Sequence, residues 1–201
     1  MTRFSGKIYG AAAIVGVSAL LLASCSRDGR DMKPPTADQT ETIAIATTIA
    51  ESVAPVQEFT IAAPWEEGGP IDAQFTCDGS KLSPSFDIAG LPEGTVTWGL
   101  SIVDQTAGDA VHWAAANIDP AINHVDAGVV PAGAVQSLNR VNKVGYAAPC
   151  PKVGEPHTFV LTVYAVSQQL EVSDGMDSET MLTSLEAGSL GITSITFSVT
   201  R

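Results

Sequence analysis

Residues 96–118, VTWGLSIVDQTAGDAVHWAAANI, decide the fold class. Val96, Trp98, Leu100 and Ile102 alternate with Thr97, Gly99, Ser101 and Val103. Successive side chains of a strand point to opposite faces, so this alternation predicts a strand ending at Asp104. Residues 105–110 are small or polar and read as a turn, and 111–118 is a second largely apolar run. Two strands with so short a connection pair antiparallel, which makes 95–118 a hairpin.

The pattern recurs downstream. Phe159, Leu161, Val163 and Ala165 alternate with Val160, Thr162, Tyr164 and Val166, and both sets are largely apolar. That predicts a strand buried on both faces. Ile195, Phe197 and Val199 alternate with Thr196, Ser198 and Thr200, a terminal strand with one face in water. Only 178–187 reads as a helix. Asp177 suits the N-cap, Met181, Leu182 and Leu185 share a face, and Gly188 ends it. Turn residues gather at 64–70, 78–84, 91–94 and 149–156. The expected class is all-β, antiparallel, with one short helix late in the chain.

Composition agrees. Hydrophobic residues are 45% and charged residues 16%, enough apolar material to build a core. Lys+Arg is 10 against Asp+Glu 22, a net charge of −12. Nucleic acid is excluded as a partner, because its phosphates require a basic footprint. The same charge argues against a polybasic membrane-binding surface.

The first segment, residues 1–24, reads as an address. Arg3 and Lys7 precede an apolar run over 10–22, too short to span a bilayer and suited to a signal-peptide core. Leu22-Ala23-Ser24-Cys25 resembles the lipobox of bacterial lipoproteins, in which the Cys thiol is diacylated and becomes the new N-terminus. Cys25 is then the lipidation site, and the protein is anchored at the extracytoplasmic face of a cell membrane. Residues 25–57 contain no aromatic residue and read as a flexible tether spanning roughly 30 Å. The folded domain is expected over 58–201.

Three polar groups stand out in it: Asp104, His112 and His157. The hairpin brings Asp104 close to His112, and His157 opens the most buried strand. The loop Gly145-Tyr146-Ala147-Ala148-Pro149-Cys150-Pro151 precedes it. Two imidazoles with backbone N–H groups make an anion site when a histidine is protonated. Two imidazoles and a carboxylate equally suit a metal, and buried histidines also occur as core residues. The residue pattern leaves these three open.

Several motifs narrow the choice. Phe75-Thr76-Cys77-Asp78-Gly79 with Leu82-Ser83-Pro84, then Leu91-Pro92-Glu93-Gly94-Thr95, then Val111-His112-Trp113 with Asn117-Ile118, stand in order. Gly145-Tyr146, Pro149-Cys150-Pro151, Pro156-His157 and Tyr164-Ala165 follow. This series resembles the bacterial phosphatidylethanolamine-binding-protein-like (Raf kinase inhibitor-like) family. The resemblance implies a large antiparallel sheet packed on a smaller one, Greek-key in topology. It also implies a pocket for phosphate or a phosphate-bearing head group, lined by Asp104, His112, His157, Gly145, Tyr146 and Pro149. The sequence departs from the family twice. The usual Asp-Pro-Asp-x-Pro turn is Asp104-Gln105-Thr106-Ala107-Gly108, where Asp109 is the nearest substitute carboxylate, and the usual Tyr is Phe159. Weak anion binding follows as the expectation. With Cys25 lipidated, Cys77 and Cys150 remain as a pair in an oxidising compartment, beside the pocket loops of the resemblance, and are expected to form a disulfide.

A binding module is the favoured class. The alternatives are a hydrolase or metal-dependent enzyme using His112, His157 and Asp104, and a protein-interaction module with a degraded pocket. No G-x-S-x-G elbow and no short-spaced zinc motif occurs in the sequence, and the reading calls for no cofactor and no metal.

Overall fold

The computed structural model describes residues 57–201. The expected signal peptide, the expected lipidation site Cys25 and nearly all of the expected tether lie outside that range. The strands are β1 (Thr60–Ala62), β2 (Phe86–Ala89), β3 (Thr97–Asp104), β4 (Ala110–Ile118), β5 (His124–Val125), β6 (Val135–Gln136), β7 (His157–Val166) and β8 (Ser189–Val199); the helix α1 is Ser178–Ala187. All strand pairings are antiparallel. Five strands form one sheet in the order β6-β4-β3-β7-β8, and three form a smaller one, β1-β2-β5. The expected all-β class, hairpin and helix are present, with a 3-10 turn at Gln105–Ala107 joining β3 to β4.

The core lies between the sheets. Trp98, Leu100 and Ile102 from β3, Phe159, Leu161 and Val163 from β7, and Phe197 from β8 meet Phe86 and Ile88 of β2 there. A second core lies on the outer face of the large sheet, where Met181 and Leu185 of α1 pack with Val111, Ala114, Ala116, Tyr164 and Val166. Burying each of those helix side chains contributes about 2 kcal/mol. The Asp177 carboxylate caps α1, accepting from the Thr180 amide at 3.0 Å. Gly99 makes this docking possible. A Cβ there would lie 2.3 Å from Leu185 Cδ2 and 2.7 Å from the Ala115 carbonyl oxygen, so only glycine lets the helix approach.

Two expectations need correction. β7 is not buried on both faces along its length, because Thr158 is exposed and Val160 and Thr162 are half-buried. The helix covers only its Tyr164–Val166 end. β8 starts at Ser189, directly after the helix, rather than near 195. Its first half places Leu190, Ile192 and Ser194 in solvent, so the period-two signal was diluted by exposed residues of mixed polarity.

Candidate anion site at His112 and His157

The site begins with a fault in the hairpin. Ile102 pairs with Trp113 but Val103 pairs with Val111, so β4 carries one extra residue, His112. Such a bulge re-aims a side chain. Val111 and Ala114 join the helix-side core, Trp113 and Ala115 the inter-sheet core. His112 packs edge-on against Phe159, with ring centroids 5.1 Å apart, and is 1% exposed.

Its hydrogen bonding defines its chemistry. His112 Nδ1 lies 2.7 Å from the Ala147 carbonyl oxygen. A carbonyl only accepts, so Nδ1 carries the proton, and in the neutral ring Nε2 is a bare acceptor. That Nε2 is buried and has no partner. The Ala147 amide donates back to the His112 carbonyl at 2.7 Å, which fixes the loop to the bulge. Burial pushes the His112 pKa below its usual value. The Ala147 carbonyl opposes this, nearby Arg140 adds to it, Asp104 opposes it and His157 adds to it. The net effect favours the neutral His112 ring in the free protein.

Asp104 caps the 3-10 turn. One oxygen accepts from the amides of Thr106 and Ala107 at 3.0 and 3.1 Å; the other lies 2.7 Å from His157 Nδ1. The carboxylate side chain is 4% exposed, and its bonded histidine is His157 rather than His112. It works as a brace for His157. The His157 ring stacks on Phe159 at 6.3 Å, so Phe159 touches both imidazoles, and the His157 side chain is 18% exposed. His124, the third histidine, is remote in role: it is exposed and bonded to Asp87 and Asp126, which raise its pKa.

The loop before β7 is tied down at several points. Asn139 Nδ2 donates to the Gly145 carbonyl at 2.8 Å, the Tyr146 hydroxyl to the Phe75 carbonyl at 2.7 Å, and the Cys77 amide to the Pro149 carbonyl at 3.0 Å. Cys77 and Cys150 form a disulfide of 2.03 Å. Tyr146, its hydroxyl buried and its pKa raised by that burial, is a structural donor. Gly145 and Tyr146 line a cavity of about 270 Å³ with Trp113 and Gln136; neither His112 nor His157 is among its walls. Gly145, Tyr146 and Pro149 thus support the loop, and the group this loop offers His112 is the Ala147 carbonyl, a backbone atom with no residue-type signature. Arg140, whose charge reaches His112, was not singled out in the sequence; its amide donates to the Val111 carbonyl at 2.7 Å. Among the described residues no three His, Cys, Asp or Glu side chains are grouped to hold a metal ion.

The Thr76-Cys77-Asp78-Gly79 motif is architectural. The Thr76 hydroxyl donates to the Ala73 carbonyl, Asp78 pairs with the guanidinium of Arg201, and a Cβ at Gly79 would lie 2.2 Å from the Ala73 oxygen. Arg201 is tied to the 73–79 turn there.

Residues 62–200 match the family model described as phosphatidylethanolamine-binding protein. The chain belongs to this family. Among its relatives are a UPF0098 protein of Methanothermobacter thermautotrophicus, 33% identical over 134 residues that cover 63% of this chain and 88% of the relative. A Mycobacterium tuberculosis protein named "Putative lipoprotein LppC" is 32% identical over 160 residues, 77% of each chain. The crystal structure of Escherichia coli YbcL, described as a member of the mammalian PEBP family, superposes with a TM-score of 0.66 at 23% identity, over 72% of this chain and 99% of that one.

Proposed function

We propose that this phosphatidylethanolamine-binding-protein family member is a lipid-anchored, extracytoplasmic binding protein that takes a small phosphate-type anion at His112 and His157. One observation carries the reading: His112 Nε2 is buried without a partner. An unsatisfied buried polar atom costs about 1–3 kcal/mol, and a ligand that completes it recovers that cost. Because Nδ1 already donates to Ala147, a ligand meets Nε2 through a proton. Either the ligand brings an O–H, as a hydrogen phosphate does, or a proton moves onto Nε2 and an imidazolium faces the anion. Affinity therefore rises as pH falls. His157, partly exposed and oriented by Asp104, shares the Phe159 ring with His112 and stands at the same site. Anchoring through Cys25 is supported by the lipobox-like Leu22–Cys25 and by the name of the mycobacterial relative.

Isothermal titration with inorganic phosphate and with phosphoethanolamine tests the pocket. Wild type binds with a heat that changes with the ionisation enthalpy of the buffer, the mark of proton uptake. His112→Ala loses about tenfold or more in affinity, the size of one charge-assisted hydrogen bond. Unchanged binding in His112→Ala refutes the assignment.

A further inference from the structure

A face of the domain gathers most of its exposed apolar side chains and its unpaired cations. Nine large hydrophobic side chains are exposed among the described residues. Five of them, Leu82, Val129, Val130, Val141 and Val144, belong to loops around the 270 Å³ cavity beside Tyr146. The loops are in contact: the Gly128 amide donates to the Ser83 carbonyl at 2.9 Å, and Gly128 faces the Leu82 side chain. The tip at 139–143 is rigid, since Asn139 Oδ1 accepts from the amides of Val141 and Lys143.

The charges follow the same loops. Lys152 pairs with Glu155, and Arg201 with Asp78. Lys81, Arg140 and Lys143 make no ion pair among the described residues. All three lie on these loops, and stretches 79–83, 128–131 and 139–145 contain no Asp or Glu; against them stands one carboxylate of the adjoining loop, Asp174, which accepts from the Gln136 amide at the cavity wall, leaving the cations in excess. The overall charge of −12 thus includes a small local group of unpaired cations.

We propose that this face docks on an anionic lipid bilayer. The valine and leucine tips enter the interfacial layer and Lys81, Arg140 and Lys143 meet lipid phosphates. Charge complementarity selects the occupant: the rest of the domain is acidic and repelled by such a surface, so only this orientation is attractive. Half-exposed apolar side chains with cations on the same loops suit an interface with an apolar interior beneath a negative surface. The proposal goes beyond the anion pocket. It draws on the Cys25 anchor only for proximity to a bilayer, and its test needs no anchor.

The test is co-sedimentation of the chain from residue 25 onward, carrying Cys25→Ser, with vesicles of equal phosphatidylcholine and phosphatidylglycerol, and with phosphatidylcholine alone. Wild type is expected to sediment with the anionic vesicles. Lys81→Gln with Lys143→Gln lowers the partition coefficient about 25-fold, at about fivefold per cation. Val130→Asp with Val144→Asp removes binding, while Leu190→Asp with Ile192→Asp, on β8, leaves it intact. Circular dichroism confirms that each variant is folded. Absence of wild-type sedimentation, or equal sedimentation of the lysine variant, overturns the proposal. So does a dimer in place of vesicle binding that Val130→Asp with Val144→Asp dissociates, which would make the face a protein interface. His112→Ala retains vesicle binding, so failure of the phosphate titration and failure of docking are separable.

Discussion

Reduction of the Cys77–Cys150 bond should cost the domain a large part of its stability. The bridge closes a loop of 73 residues. In the chain-entropy model such a closure restricts the unfolded chain by about 4 kcal/mol. For a domain of this size each kcal/mol moves Tm by about 2–4 °C, so Cys77→Ala with Cys150→Ala should lower Tm by roughly 10–15 °C. The native contacts at the same seam, Tyr146 to Phe75 and Cys77 to Pro149, remain, so the loop is loosened rather than released. Ala147 belongs to that loop and fixes the His112 tautomer, and phosphate affinity should fall along with Tm. Scanning calorimetry of oxidised, dithiothreitol-reduced and double-alanine protein measures the first effect. A Tm that moves by less than about 2 °C on reduction, or two free thiols by non-reducing mass mapping of exported protein, refutes the reasoning.

Three further outcomes are expected. Gly99→Ala should destabilise by about 1–3 kcal/mol in urea titration, because its Cβ meets the Ala115 backbone as well as the mobile end of Leu185. Histidine titrations followed by NMR should separate His112 and His124 in opposite directions from the ordinary value near 6.5. Since the folded-state pKa of His112 is depressed, its contribution to stability is complete above about pH 6.5 and is lost as pH falls through the folded value. Cys25→Ala should leave the exported protein unprocessed or released from the membrane fraction; a variant still cleaved at that position and sedimenting with membranes would contradict lipidation.

How much of this was legible depended on period and residue type. The hairpin 95–118 and the helix 178–187 were readable because long alternation and a capped amphipathic face are local signals. β1, β2, β5 and β6 have two to four residues each, too short to show a period, and they are placed by tertiary pairing. Asp104, His112 and His157 were singled out from residue type and position, but not the geometry among them. A bulge at His112 reverses which face the next residues occupy, and that register shift has no mark in the alternation of VHWAAANI. The partner of Nδ1 is a main-chain oxygen from a loop 35 residues away, invisible to any reading of side chains.

The central claim is that His112 Nε2 is an empty buried acceptor completed by a phosphate-type ligand. The direct measurement is ¹⁵N-detected NMR of the His112 ring without and with inorganic phosphate near pH 6.5. The account predicts an Nδ1-protonated, Nε2-bare ring in the free protein. Saturating phosphate should shift Nε2 to a hydrogen-bonded or protonated nitrogen, with His124 unchanged. An Nε2 signal that stays at its free position while phosphate binds, or one already protonated in the free protein, would contradict it.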